Sequence, residues 1–308
     1  MVQIGADFLL PLIRVNLYHP APAYRLNLCA IVFIPNPMKN QTLIREIAKM
    51  IDHSLLHPTM TDAELREGCE IARKYNVASV CIKPYAVPMA VELLAGTDVL
   101  IGTVIGFPAG NSSTAIKVAE TMQACKDGAT EIDMVINIGK ALGQDWAYVR
   151  AEIQVIHDVC KANGAILKVI FENDFMPDNS FIIKLCQLCT EVGFEFVKTS
   201  TGYGFVKGSD GKYSYEGATI PQLQVMLDSV GTGQSGRPVQ VKAAGGIRTL
   251  DGLLQVKAMG VTRLGASATA LIMEDAYRRF GEAFGTPEQP GNVATDAPMS
   301  DVVEGKGY

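Results

Sequence analysis

Eight short apolar runs recur along this chain, most of them followed by an amphipathic stretch. The runs fall at residues 50–52, 78–83, 99–107, 130–137, 166–171, 194–199, 239–242 and 262–265. Each is continuously hydrophobic rather than alternating, the pattern of a strand buried on both faces of a parallel sheet. The stretches at 62–75, 114–127, 146–162, 180–192, 220–229 and 250–259 carry helical periodicity. Thr61-Asp62-Ala63-Glu64 reads as a capping box, with Glu64 three residues after Thr61. Eight strands alternating with about eight helices over roughly 240 residues fit a (β/α)8 TIM barrel. A doubly wound open sheet is the alternative, but no G-x-G-x-x-G follows the first run. The expected fold is therefore α/β, with one barrel domain at 42–284. Residues 1–41 form an N-terminal extension of unassigned role. Residues 285–308, rich in Gly, Pro and Asp, read as a flexible tail.

The chain is 48% hydrophobic and 19% charged, ample for a core and incompatible with global disorder. Its net charge of −5 argues against a nucleic-acid partner, and an anionic substrate has to be held by local positive groups. No apolar run reaches the length of a membrane span. Residues 8–45 contain no acid and carry Arg14, Arg25 and Arg45, as a transit peptide does, yet no serine precedes Ser54. The seven cysteines are odd in number and mostly lie in apolar runs. Cys186 and Cys189 form a C-x-x-C inside a helical pattern, without a second pair or a nearby histidine, so they read as buried helix cysteines. Reduced thiols point to a cytoplasmic location.

Two of the apolar runs end in lysines, Lys198 and Lys242, each followed by a glycine-containing loop. Barrel chemistry sits at the C-terminal ends of strands, where Asp52, Cys81 and Asp133 are also expected. Two amines placed close together each disfavour the other's protonation, which lowers a pKa from about 10.4 toward neutrality. A neutral amine attacks a carbonyl and forms a Schiff base. Asp133 lies inside the apolar run Ile132-Asp133-Met134-Val135, where a carboxylate has to be paired; Lys168, expected deeper in the barrel, is a candidate partner. Gly202, Gly245, Gly246, Gly265 and Ser267 follow late strands, where backbone amides approach a phosphate closely, and Arg248 adds a bidentate donor. Asp52 precedes His53 and His57, a pair that invites a metal reading, but the chain has only four histidines and no metal is expected.

The segments Asp52-His53-Ser54-Leu55-Leu56, Cys81-Ile82-Lys83-Pro84, Gly106-Phe107-Pro108-Ala109-Gly110, Glu131-Ile132-Asp133-Met134-Val135-Ile136-Asn137, Lys198-Thr199-Ser200-Thr201-Gly202 and Lys242-Ala243-Ala244-Gly245-Gly246-Ile247-Arg248 resemble the deoxyribose-phosphate aldolases in order and spacing from about residue 44 to 280. The resemblance implies a class I aldolase on a TIM barrel that reversibly cleaves 2-deoxy-D-ribose 5-phosphate to D-glyceraldehyde 3-phosphate and acetaldehyde. It implies Lys198 as the Schiff-base lysine, Lys242 as the charge that tunes it, Asp133 as the proton-relay carboxylate, and Asp52 as a hydrogen-bonding partner of Lys242 and a substrate hydroxyl. Tyr308, the last residue, resembles a terminal tyrosine that assists proton transfer in some members. The implied partner is a small phosphosugar, with no cofactor, and a homo-oligomer is compatible with it.

Three departures stand out. Ala268 follows Ser267 where a second serine is common, Tyr203 stands where some members carry lysine, and the loop 204–217, with Lys207 and Lys212, is longer than in short members. The rival readings are another Schiff-base or isomerising phosphosugar barrel, a metal-dependent aldolase, and a phosphosugar-binding protein without turnover.

Overall fold

The computed structural model describes residues 37–233 and 236–281. Eight parallel strands close into a barrel: β1 (Ile51–Leu55), β2 (Ser79–Ile82), β3 (Leu100–Ile105), β4 (Glu131–Val135), β5 (Ile166–Ile170), β6 (Phe196–Lys198), β9 (Gln240–Ala244) and β10 (Arg263–Ala266). β10 pairs with β1 to complete the ring. Between β6 and β9 lies a short antiparallel ribbon, β7 (Val206–Lys207) with β8 (Tyr213–Ser214), outside the barrel. The expected (β/α)8 architecture is what forms.

Helices wrap the ring: α1 (Pro37–Ala48), α2 (Asp62–Tyr75), α3 (Val87–Leu93), α4 (Thr114–Lys126), α5 (Ile138–Leu142), α6 (Trp146–Ala162), α7 (Asn179–Val192), α8 (Ile220–Ser229), α9 (Leu250–Met259) and α10 (Thr269–Phe280). The capping box forms as read. Glu64 accepts from the Thr61 backbone N–H at 2.6 Å, and the Glu64 N–H donates to Thr61 Oγ1 at 3.4 Å. α1 lies against α10, and its Glu46 pairs with Lys257 of α9 at 3.0 Å. The expected domain start at residue 42 falls inside α1.

The hydrophobic core fills the shell between strands and helices, where Ile47, Leu65, Ile132, Val169, Leu185 and Leu264 are inaccessible to solvent. The strands reach that core through near-continuous apolar sequence, as both faces of the sheet require. The inside of the ring differs. There Asp52, Glu131, Asp133, Lys168 and Lys242 are as buried as any leucine. Charge in that position is tolerated only when each group is paired.

Candidate active site

β4 carries Glu131 and Asp133 two residues apart, so both lie on the same face of the strand. β5 brings Lys168 alongside Asp133 in parallel register. Lys168 Nζ lies 2.6 Å from Glu131 Oε2, 3.0 Å from Asp52 Oδ2 and 3.0 Å from Asp133 Oδ1. Arg263 reaches in from β10, with Nη1 2.5 Å from Asp52 Oδ1 and 3.1 Å from Glu131 Oε1. Ser79 donates its hydroxyl to Asp52 Oδ1 at 2.7 Å. The depth expected of Lys168 is observed, and so is its pairing with Asp133.

Lys198 and Lys242 stand opposite one another on β6 and β9. Each donates from Nζ to Asp133 Oδ2 at 2.8 Å, and Lys242 also pairs with Asp52 Oδ2. Gly265 adjoins Lys242, since a Cβ there would sit at ordinary contact distance, 3.5 Å, from Lys242 Cε. Only Lys198 ends its strand; Asp52, Asp133 and Lys242 lie within theirs. Of the residues expected at or near strand ends, Asp133 and Lys242 lie two residues from theirs, and Asp52 lies three residues short. In a closed barrel, interior residues of several strands meet in layers, and strand-end position is not required for contact.

Burial alone would raise the pKa of Asp52, yet Lys168, Lys242 and Arg263 outweigh it and hold the carboxyl well below its ordinary range. Asp133 follows the same pattern, with burial opposed by Lys168, Lys198 and Lys242 and the net shift downward. Burial disfavours the charged form of Lys242, but Asp133 and Asp52 prevail and its pKa is raised. The sequence-based expectation that each amine suppresses the other's proton therefore fails for Lys242. Asp52 and Asp133 both contact it, and their attraction outweighs burial and the repulsion of Lys168, so Lys242 is a fixed positive charge.

These groups surround the floor of a cavity at the barrel mouth. Lys198, Lys242 and Asp52 line it together with Gly245, Gly246, Arg248, Gly265 and Ser267. Gly245 and Gly246 adopt φ of 93° and 86°, a region that L side chains rarely enter. Ser267 lies two residues before the start of α10, whose N-terminal N–H groups and dipole favour an anion. Asp133 does not line the cavity and meets it through the two lysines. Gly202 does not line it either, although its neighbour Thr201 does. Tyr308 lies outside the described residues.

A family model for DeoC/LacD family aldolases matches residues 46–269. The chain belongs to that aldolase family. It is similar to a Rhodopirellula baltica protein named deoxyribose-phosphate aldolase, 46% identical over 77% of this chain and 91% of the relative. Among solved structures it resembles a provisionally named deoxyribose-phosphate aldolase from Coccidioides immitis, with a TM-score of 0.67 and 32% identity over 78% of this chain and 97% of that one. A tetrameric deoxyribose phosphate aldolase from Aeropyrum pernix aligns with a TM-score of 0.66 and 25% identity, over 78% and 94% of the two chains.

In this DeoC/LacD family member the other candidates have the following surroundings. His53 Nδ1 meets Thr269 Oγ1 at 2.8 Å, and His57 Nδ1 meets Thr59 Oγ1 at 2.7 Å. No group of three metal-capable side chains occurs among the described residues. Cys186 and Cys189 are buried in α7, and burial pushes the Cys186 thiol up to about 12. Cys81 lies 4.0 Å from Asp133 Oδ2 and lines the cavity; burial, then the Asp133 charge, pushes its thiol up to about 11.

Sequence reasoning missed Glu131, Arg263, Glu172 and Tyr215. Alternation along β4 was the available signal for Glu131, because it shares the face of Asp133. Arg263 follows Thr262 at the start of a strand, where a solvent-facing arginine is the ordinary reading. Glu172 sits after β5 at φ 57°, buried beneath the β6 loop. It accepts from the Thr201 N–H at 3.2 Å and from the Thr201 hydroxyl. Burial, partly offset by those hydrogen bonds, raises its pKa to about 7.

Proposed function

We propose that this chain reversibly cleaves 2-deoxy-D-ribose 5-phosphate to D-glyceraldehyde 3-phosphate and acetaldehyde through a Schiff base on Lys198. One observation carries the assignment: Lys198 and Lys242 share Asp133 Oδ2 and line one cavity with the Gly245–Gly246 turn, Arg248 and Ser267. An amine and an anion cradle in one cavity suit an aldehyde with a phosphate at its other end.

The unprotonated amine of Lys198 attacks C1 of the open-chain sugar, and loss of water gives an iminium. The iminium draws the electron pair of the breaking bond. Two carbons leave as acetaldehyde, so the bond that breaks is C2–C3. The C3 hydroxyl gives up its proton as glyceraldehyde 3-phosphate departs. The resulting enamine takes a proton at C2, and water then releases acetaldehyde from Lys198. Lys242 supplies the fixed charge that favours an unprotonated neighbour. Asp133 moves protons to and from the Lys198 amine, with water completing the path to substrate. Asp52 holds Lys242 and faces the cavity, within reach of a substrate hydroxyl. Amides of the Gly245–Gly246 turn, the Ser267 hydroxyl and Arg248 hold the phosphate.

The proposal includes a role in deoxyribose phosphate catabolism in the cytoplasm, supported by cysteines that are free wherever described. No helix among the described residues is long and apolar enough to cross a membrane. The tetrameric Aeropyrum pernix relative supports a homo-oligomer. Incubation with 2-deoxyribose 5-phosphate in the presence of a chelator should release acetaldehyde and glyceraldehyde 3-phosphate in equal amounts. Turnover abolished by the chelator would favour a metal-dependent aldolase, and binding without products would favour a phosphosugar-binding protein.

A further inference from the structure

Between β6 and α8 the chain makes an excursion at residues 203–217 that carries the β7–β8 ribbon. Its returning limb is fastened at several points. Asp174, in the short 3-10 turn Asn173–Phe175 after β5, accepts the backbone N–H groups of Glu216 and Gly217. The Ala218 N–H donates to the Gly245 carbonyl at 3.1 Å. Gly217 approaches so closely that a Cβ there would lie 2.8 Å from the Gly245 oxygen. The excursion and the Gly245–Gly246 turn are thus joined by backbone contacts.

This fastening delivers Tyr215 to the site. Tyr215 lines the same cavity as Lys198, Lys242, Arg248 and Ser267. Its Cε2 lies 3.5 Å from where a side chain on Gly245 would begin. Phe205, on the outgoing limb, meets the Tyr215 ring edge to face, with centroids 5.4 Å apart and an interplanar angle of 89°. The ring is held between Phe205 and Gly245.

We propose that Tyr215 is a specificity-determining residue whose ring walls the phosphate end of the substrate against the Gly245–Gly246 turn and keeps water from it. The proposal rests on the phosphosugar reading above. An aromatic wall adds no charge of its own. It strengthens the hydrogen bonds between phosphate and turn amides by thinning the water around them. That benefit reaches a phosphorylated substrate and not the same sugar without phosphate.

The test compares wild type, Tyr215→Ala and Tyr215→Phe on 2-deoxyribose 5-phosphate and on 2-deoxyribose. Tyr215→Ala should lower the ratio of the two kcat/KM values about tenfold, through KM for the phosphorylated sugar, with its kcat within about twofold of wild type. Tyr215→Phe keeps the ring and should stay within about twofold in both. An unchanged ratio in Tyr215→Ala, or equal losses on both sugars, overturns the proposal. So does a Tyr215→Phe variant as impaired as Tyr215→Ala. If wild type turns over neither sugar, the assigned reaction fails, and inorganic phosphate decides the role of Tyr215 instead. Phosphate should raise the unfolding temperature of wild type and Tyr215→Phe more than that of Tyr215→Ala. Equal rises in all three proteins overturn the proposal.

Discussion

Lys198 and Lys242 are register partners on adjacent strands, and their amines converge on a single oxygen of Asp133. The charges around them can be counted. Asp52, Glu131 and Asp133 face Lys168, Lys242 and Arg263, three against three, before Lys198 is considered. In a buried cluster an extra unbalanced charge is costly. The cluster is neutral when the Lys198 amine is uncharged, the state that the proposed nucleophile requires.

Removing Lys242 tests that balance. In Lys242→Leu the three carboxylates are matched only when Lys198 carries a proton. The pH–rate profile for cleavage should then move upward. A pH–rate profile at saturating substrate measures this. An unshifted profile would separate Lys242 from the tuning of Lys198.

Asp133 joins three lysines, so its loss has two consequences. Asp133→Asn should lower kcat about 10²- to 10⁴-fold, because proton movement at the amines loses its base. It should also destabilise the fold by about 3–5 kcal/mol, because Lys168 and Lys242 lose a buried partner. Kinetics and denaturant unfolding check the two effects separately. A variant with wild-type kcat would remove Asp133 from the proton path.

Arg248 is exposed at the rim of the cavity, beside the Gly245–Gly246 turn. Arg248→Met should raise KM for the phosphorylated sugar about tenfold and leave kcat nearly unchanged, as expected when binding is weakened equally in ground and transition states. A fall in kcat at constant KM would place Arg248 in the chemistry instead.

Glu172 gives a stability prediction with a definite sign. Its pKa is raised to about 7 from an ordinary 4.5, mainly by burial. Between those values the folded chain keeps a proton that the unfolded chain releases, so this group's contribution to stability falls as pH rises through the window. Glu172→Gln cannot titrate. Its stability relative to wild type should therefore increase from pH 4.5 to pH 7, by about 1–3 kcal/mol. Denaturant unfolding across that range measures the difference, and parallel curves would contradict it.

Much of this was legible in the sequence because apolar runs report burial directly. α2, α6, α8 and α9 follow the periodicity to the residue. β1 extends to Leu55 although the apolar run breaks at His53 and Ser54, because His53 is buried and Ser54 is half-buried at the cavity. α1, α3, α5 and α10 were not read, α3 and α5 being only seven and five residues long. Lys198, Lys242 and Asp133 stood out because a charge inside an apolar run demands a reason. Glu172 and Tyr215 did not. One follows a strand and the other lies in a polar loop, and their roles arise from backbone contacts between segments distant in sequence.

Reduction of the purified protein with borohydride in the presence of acetaldehyde, followed by peptide mass mapping, tests the central claim most directly. The account predicts an ethyl adduct of about 28 Da on Lys198. An adduct confined to Lys242 or Lys168, or no adduct on folded protein, would contradict it.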